Sequence, residues 1–211
     1  GYFTAPAPRD ELRVRFDLEG FVVAYTGAHG IANGLDLVLD AANTIRSEPC
    51  DIKLLLVGDG PLKASLQRRA GAEGLTNVVF RPAIPKSEMP ALLGAVDAGL
   101  HCLADLPMFR YGVSPNKLFD YLAAGLPVLT NTQGEVADIV VACGAGVAVA
   151  PHDIAGGIRQ LWQADPEQRA AWGRAGRDCV RLNYDRNKLA DQLEALLDEM
   201  APPPGRGSAP T

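Results

Sequence analysis

Ser114, Asn116, Lys117 and Asp120 stand close together in the segment FRYGVSPNKLFDYLAAG (109–125). Pro115 and the apolar spacing after it place them at the start and on the first turns of a helix. Free N–H groups and partial positive charge gather at such a start, so a lysine there can help neutralise a diphosphate. Lys117 and Asp120 are three residues apart and share one helix face. A carboxylate one turn beyond the lysine can accept hydrogen bonds from both hydroxyls of a ribose. Together they have the outline of a nucleotide site. The plainer alternative is an ordinary helix start, with Ser114 as cap, Pro115 at the first helical position and a surface Lys117–Asp120 pair worth only tenths of a kcal/mol.

Three other loops offer weaker chemistry. TGAHGIANG (26–34) sets Gly27, Gly30 and Gly34 around a helix start, which suits either a phosphate or merely a tight turn. It lacks the Lys-Ser/Thr ending of a Walker loop and the full G-x-G-x-x-G order. Asn33 reads first as the cap of the following helix. GDGP (58–61) is read first as the turn that lets a helix begin at Pro61, its aspartate satisfying backbone N–H groups, with ligand contact the alternative. RPAIPKS (81–87) is the fourth loop that leaves a strand.

Those loops need a frame, and the chain supplies one. Apolar runs at FVVAYTG, DIKLLLV, NVVF, DAGLHCL, PVLTN and AGVAVAP read as strands. Between them lie segments of helical spacing: Leu35 to Ile45, Pro61 to about Glu73, a short helix capped by Ser87, LFDYLAAG closed by Gly125, and GEVADIVVACG. Alternation with unrelieved apolar strands predicts an α/β fold, a parallel sheet of about six strands with helices on both faces. In such a sheet ligands bind outside the carboxyl ends of the strands, which is where the four loops lie. After about Asp153 only helical patterns remain. Residues 201–211, rich in proline and glycine, are expected to be disordered.

The composition narrows the functional classes. The chain has 211 residues, 20 Lys and Arg against 25 Asp and Glu, and a net charge of −5, so a general electrostatic grip on nucleic acid is not expected. Cys50, Cys102, Cys143 and Cys179 are far apart, with no C-x-x-C pair; three sit in apolar surroundings and read as small buried thiols, which favours a reducing compartment. His29, His101 and His152 lack metal-ligand spacing, and no metal or cofactor is expected. His101 reads as a strand residue near the core, and His29 as a residue that could line the pocket. No apolar run reaches the ~20 residues of a membrane span, which fits a cytoplasmic protein.

The string GVSPNKLFDYLAAGLPVLT, with GAHGIANGLDLVLDAA, LLLVGDGPLKASLQ and NVVFRPAIPKSEMPALLGAVDAGLHCL before it, resembles the retaining glycosyltransferases of family 4. The likeness runs in one order over about residues 20–150. It implies one Rossmann-like half of a GT-B enzyme, the C-terminal half that binds the sugar nucleotide, here a UDP-sugar. By that resemblance Asp120 holds the ribose hydroxyls, the backbone of Asn116 and Lys117 holds the diphosphate, the main chain of Ile84 pairs with the base, and Gly30 approaches the donor phosphates.

Two positions depart from the family pattern. Gly112 stands where the family carries the first glutamate of its paired motif, and its basic pair falls on Ala28 and Asn33. The S-P-N-K loop is similar to that of bacterial transferases of amino-sugar derivatives. Lys117 then supplies the missing positive charge, and Arg110 or Asp105 the contact to the sugar.

The resemblance further implies a missing N-terminal acceptor domain, a saccharide or lipid-linked acceptor, and a full-length enzyme peripheral at the inner membrane face. Residues 1–19 resemble the segment entering the second domain, with 20–200 as the donor domain, so the chain alone is expected to transfer little. A non-hydrolysing sugar-nucleotide epimerase and a non-catalytic nucleotide-binding module are the competing readings.

Overall fold

A computed structural model describes residues 3–49, 51–110 and 116–200. Strands β1 (Phe21–Thr26), β2 (Ile52–Val57), β3 (Val78–Arg81), β4 (Ala98–His101), β5 (Val128–Thr130) and β6 (Gly146–Ala148) form one sheet in the order β3-β2-β1-β4-β5-β6. Every pairing is parallel, with Val23 beside Leu54 on one side and beside Ala98 on the other. The apolar strands are unrelieved because both faces are covered. Along β1, Phe21, Val23 and Tyr25 enter one core and Val22 and Ala24 the other, the period of two that a strand imposes.

One face carries α2 (Leu35–Ile45), α3 (Lys63–Ala72) and α7 (Ile154–Gln163). The other carries α4 (Met89–Ala95), α5 (Asn116–Ala124) and α6 (Glu135–Ala142). In α2 the buried residues Leu35, Val38, Leu39, Ala42 and Ile45 make a single stripe, the spacing of a helix with one face on a core. Helix α8 (Pro166–Asn183) is capped by Asp165, whose carboxylate accepts from the Gln168 N–H at 2.7 Å. Helix α9 (Arg186–Met200) follows with its leucines exposed. The expected α/β class, six parallel strands and helical end are all present; residues 201–211 lie outside the described residues.

Four details differ from the sequence reading. Residues 9–15 form a helix, α1 (Arg9–Arg15), seated by Leu12 and by Arg13, which reaches Asp97 at 3.2 Å. Only one of its seven residues is buried, so its apolar signal was too thin to read. Helix α3 starts at Lys63, two residues past Pro61, because Pro61 and Leu62 are used in a turn. Ser87 caps nothing: it lies inside a 3-10 turn, Lys86–Glu88, and α4 begins after it without a side-chain cap.

The fourth is that Cys143 and Cys179 are disulfide-bonded, joining the end of α6 to α8. Spacing alone could not show that these helix ends meet. Cys102 is the buried free thiol that was expected; Cys50 lies outside the described residues. The bond removes one ground for placing the chain in a reducing compartment. Among the described residues no helix is long and apolar enough to cross a membrane.

Candidate functional site

The strand order reverses direction between β1 and β4, and a crevice opens at their carboxyl ends, where doubly wound sheets take ligands. The loop after β1 forms its first wall. Gly27 has φ 150°, and a Cβ there would stand 3.3 Å from both the Lys117 Cε and the Tyr25 hydroxyl. Around Gly30 a Cβ would meet only the Asn33 side-chain amide, at 3.7 Å, so the chain itself does not require glycine at that position.

Behind this loop, GDGP packs closely against it. A Cβ on Gly58 would lie 1.8 Å from the Gly27 carbonyl oxygen. Asp59 accepts from Lys63 at 2.8 Å and from the Ala83 N–H at 2.9 Å. The lysine and then that N–H hold its carboxyl below the usual range. Asp59 thereby fixes the segment bearing Ile84, which is half-buried and lines a cavity of about 350 Å³ with Gly27, Gly58, Ala83 and Met89.

Helix α5 forms the opposite wall. It begins at Asn116, which is exposed, and the next residue, Lys117, runs inward. Its ammonium donates to the Tyr25 hydroxyl and to the Asn33 Oδ1, both at 3.0 Å, and lies 4.4 Å over the Tyr25 ring. Burial lowers its pKa to about 8. Both of these partners are neutral oxygens. A cation held among neutral groups and partly withdrawn from water has its charge uncompensated by these partners and can accept an anion.

Asn33 therefore does not cap α2; Gly34 takes that position, and the Asn33 side chain is occupied by the lysine. Asp120, one turn on, is half-buried, and burial raises its carboxyl pKa while Lys86 nearby lowers it. It accepts no hydrogen bond from the described residues. The surface Lys117–Asp120 pair is not formed: the lysine turns to β1 and the aspartate to the Lys86 side, leaving the helix start between them. Ser114 and Gly112 lie outside the described residues, as does the Arg110 side chain. Asp105 is on the loop after β4, 3.6 Å from His152.

Spacing in the sequence does not single out the Tyr25 hydroxyl, and the pocket position expected for His29 is corrected by the structure. Tyr25 sits in a strand where every alternate residue is core, so its hydroxyl drew no notice. His29 does not line the crevice: it is 0% exposed, beneath the loop, with neither ring nitrogen hydrogen-bonded. Its ring lies 6.1 Å from that of Tyr25 and 6.2 Å from that of Phe80. Burial, followed by nearby Lys63, lowers its pKa. His101 is a buried strand residue, as expected, with its pKa lowered to about 3 by burial and by Lys117.

Residues 20–164 match the family described as Glycosyl transferases group 1. A protein of Escherichia coli (strain K12) named as a colanic acid biosynthesis glycosyl transferase, WcaI, is 35% identical over 123 residues, 57% of this chain and 29% of its own. Among solved structures, the C-terminal domain of the group 1 glycosyl transferase LpcC of Francisella tularensis superposes with TM-score 0.71 at 19% identity, covering 88% of this chain and 97% of that one. Anabaena Alr3699/HepE in complex with UDP gives 0.79 at 18%, covering 94% of this chain and 54% of that one. These likenesses show a Rossmann-like fold of the GT-B type. The chain spans about half, or less, of the length of the curated relatives it matches.

Proposed function

The chain belongs to the group 1 glycosyl transferases, and from that premise we propose that it is the donor-binding half of a retaining, family 4 enzyme that moves a hexosyl or N-acetylhexosaminyl unit from a UDP-sugar to a saccharide or lipid-linked acceptor. Colanic acid biosynthesis in the name of one relative and bound UDP in one structural neighbour support a place in polysaccharide assembly and a uridine donor. The observation that carries the reading is the Lys117 ammonium, held at the start of α5 against the glycine loop with only neutral oxygens as hydrogen-bond partners among the described residues.

In this reading the diphosphate lies between the 27–34 loop, open at Gly30, and the N–H groups of Asn116 and Lys117. Ser114 contributes at the same helix start. Asp120, which accepts no hydrogen bond from the described residues, takes the ribose hydroxyls, and the base lies against the main chain at Ile84. Breaking the bond between sugar and diphosphate leaves the electron pair on the departing oxygen. Lys117 and the helix start stabilise that growing charge, so no metal or further cofactor is needed at this half.

The family's basic pair falls on Ala28 and Asn33, and Lys117 brings its charge to the second of these from another element. The acceptor groove belongs to an N-terminal domain, so the chain alone transfers little. The whole enzyme would work in the cytoplasm, at the inner membrane face when its acceptor is lipid-linked. Calorimetric titration with UDP, GDP, ADP and NAD tests the reading. Binding of UDP in preference to the others is expected; binding of none would refute it.

A further inference from the structure

We propose that Tyr25 is a positioning residue of this donor site, its hydroxyl tying the Lys117 ammonium to the backbone of the glycine loop. The inference rests on the donor-binding reading above. Tyr25 is the penultimate residue of β1 and its side chain is fully buried. The hydroxyl lies 3.0 Å from the Lys117 Nζ and 2.8 Å from the Ala28 carbonyl oxygen. An ammonium has no lone pair, so the hydroxyl must accept from Lys117 and donate its one proton to Ala28. Burial, and after it Tyr121 and Cys102, keeps the phenol protonated, which leaves that proton always available to the loop.

Packing does not explain the hydroxyl. Phenylalanine would fill the same core position among Val23, Leu54 and Leu56, and an unpaired buried hydroxyl would be a cost. Two contacts of suitable length offset that cost, and both lead to the site. With Asn33 accepting from the other side at 3.0 Å, the amine is held by two residues that bracket the loop. Two of its three protons are thereby engaged, and the third has no partner among the described residues and can meet an incoming phosphate oxygen. The close approach of Gly27 to Lys117 Cε and to the Tyr25 hydroxyl, 3.3 Å each for an added Cβ, shows how tightly the three pieces fit.

Among the described residues, the titratable groups facing the amine are Tyr25 on β1 and His101 and Cys102 at the end of β4; Tyr121 on α5 stands behind Tyr25. Both His101 and Cys102 are held neutral by burial near pH 8. Tyr25→Phe therefore removes one acceptor from the ammonium and leaves its other titratable neighbours unchanged. Losing an acceptor disfavours the charged form, so the lysine should titrate at lower pH.

The test uses the full chain with lysine labelled at 13Cε, read by NMR without ligand, the Lys117 signal being identified by its absence in Lys117→Met. The midpoint in Tyr25→Phe is expected to fall by roughly half to one pH unit, the size of one lost hydrogen bond. UDP affinity measured in parallel is expected to fall less than about twofold at pH 7 and about three- to ninefold at pH 9, following the charged fraction. An unchanged midpoint, or an affinity loss equal at both pH values, overturns the proposal. If the wild-type chain binds no UDP, the donor reading fails by itself, and the ligand-free titration still decides whether Tyr25 holds the lysine.

Discussion

Lys117 and His29 carry opposite consequences of burial. A lysine whose amine is lowered to about 8 is still mostly charged at pH 7.5 and mostly neutral at pH 9. A bound diphosphate favours the charged form, so binding takes up protons and weakens as pH rises. UDP affinity is expected to fall roughly five- to tenfold between pH 7.5 and 9, measured by calorimetry; a flat profile would show that the amine does not meet the anion. His29 has its folded-state pKa lowered. Below its unfolded value of about 6.5 the unfolded chain binds the proton more readily than the folded chain, so stability is kept above that pH and lost as pH falls. With neither ring nitrogen hydrogen-bonded, His29→Leu is expected to leave Tm at pH 7.5 unchanged or higher, and to flatten its decline between pH 6.5 and 5. A steeper acid decline in the variant would contradict this.

Helix α5 carries the site at one end and is clamped at the other. Arg177 on α8 donates to the carbonyls of Ala124 at 2.6 Å and Ala123 at 3.3 Å, satisfying the helix end far from Lys117. The Cys143–Cys179 bond fastens α8 to α6 across 36 residues. Closing a loop of that length contributes about 3–4 kcal/mol through the unfolded chain. Cys143→Ser is accordingly expected to lower Tm by about 8 °C or more while UDP affinity at 25 °C stays within about twofold. A matching loss of affinity would mean that α8 shapes the binding end as well. The elements were the most legible part of the sequence, because strands buried on both faces write continuous apolar runs and the helices between them write one stripe each. Helix α1 was not legible, since Leu12 alone gives it a buried face, and the disulfide was not, since pairing depends on where helix ends meet. At the site, Lys117 and Asp120 stood out because a helix start with a cation and a carboxylate on one face has a local spacing. Tyr25 did not, since the same period of two that identifies a strand assigns its ring to the core. The change of Asn33 from helix cap to lysine partner depends on a contact 84 residues away in sequence.

The whole molecule is a six-stranded parallel sheet whose reversal point gathers three loops and one helix start around a partly buried cation. Nothing in the core needs that cation. The charge placed there opposes folding modestly, and the proposed donor diphosphate between the glycine loop and α5 would account for it. That is the physical basis of the proposed donor site, in which Ile84, Asp120 and Lys117 would meet the base, the ribose and the diphosphate. The most direct measurement is calorimetric titration of UDP at pH 7.5 into the wild-type chain and into Lys117→Ala. UDP is expected to bind the wild type and to bind the variant at least tenfold more weakly, about 1.4 kcal/mol. Equal affinity in the two proteins would contradict the central claim.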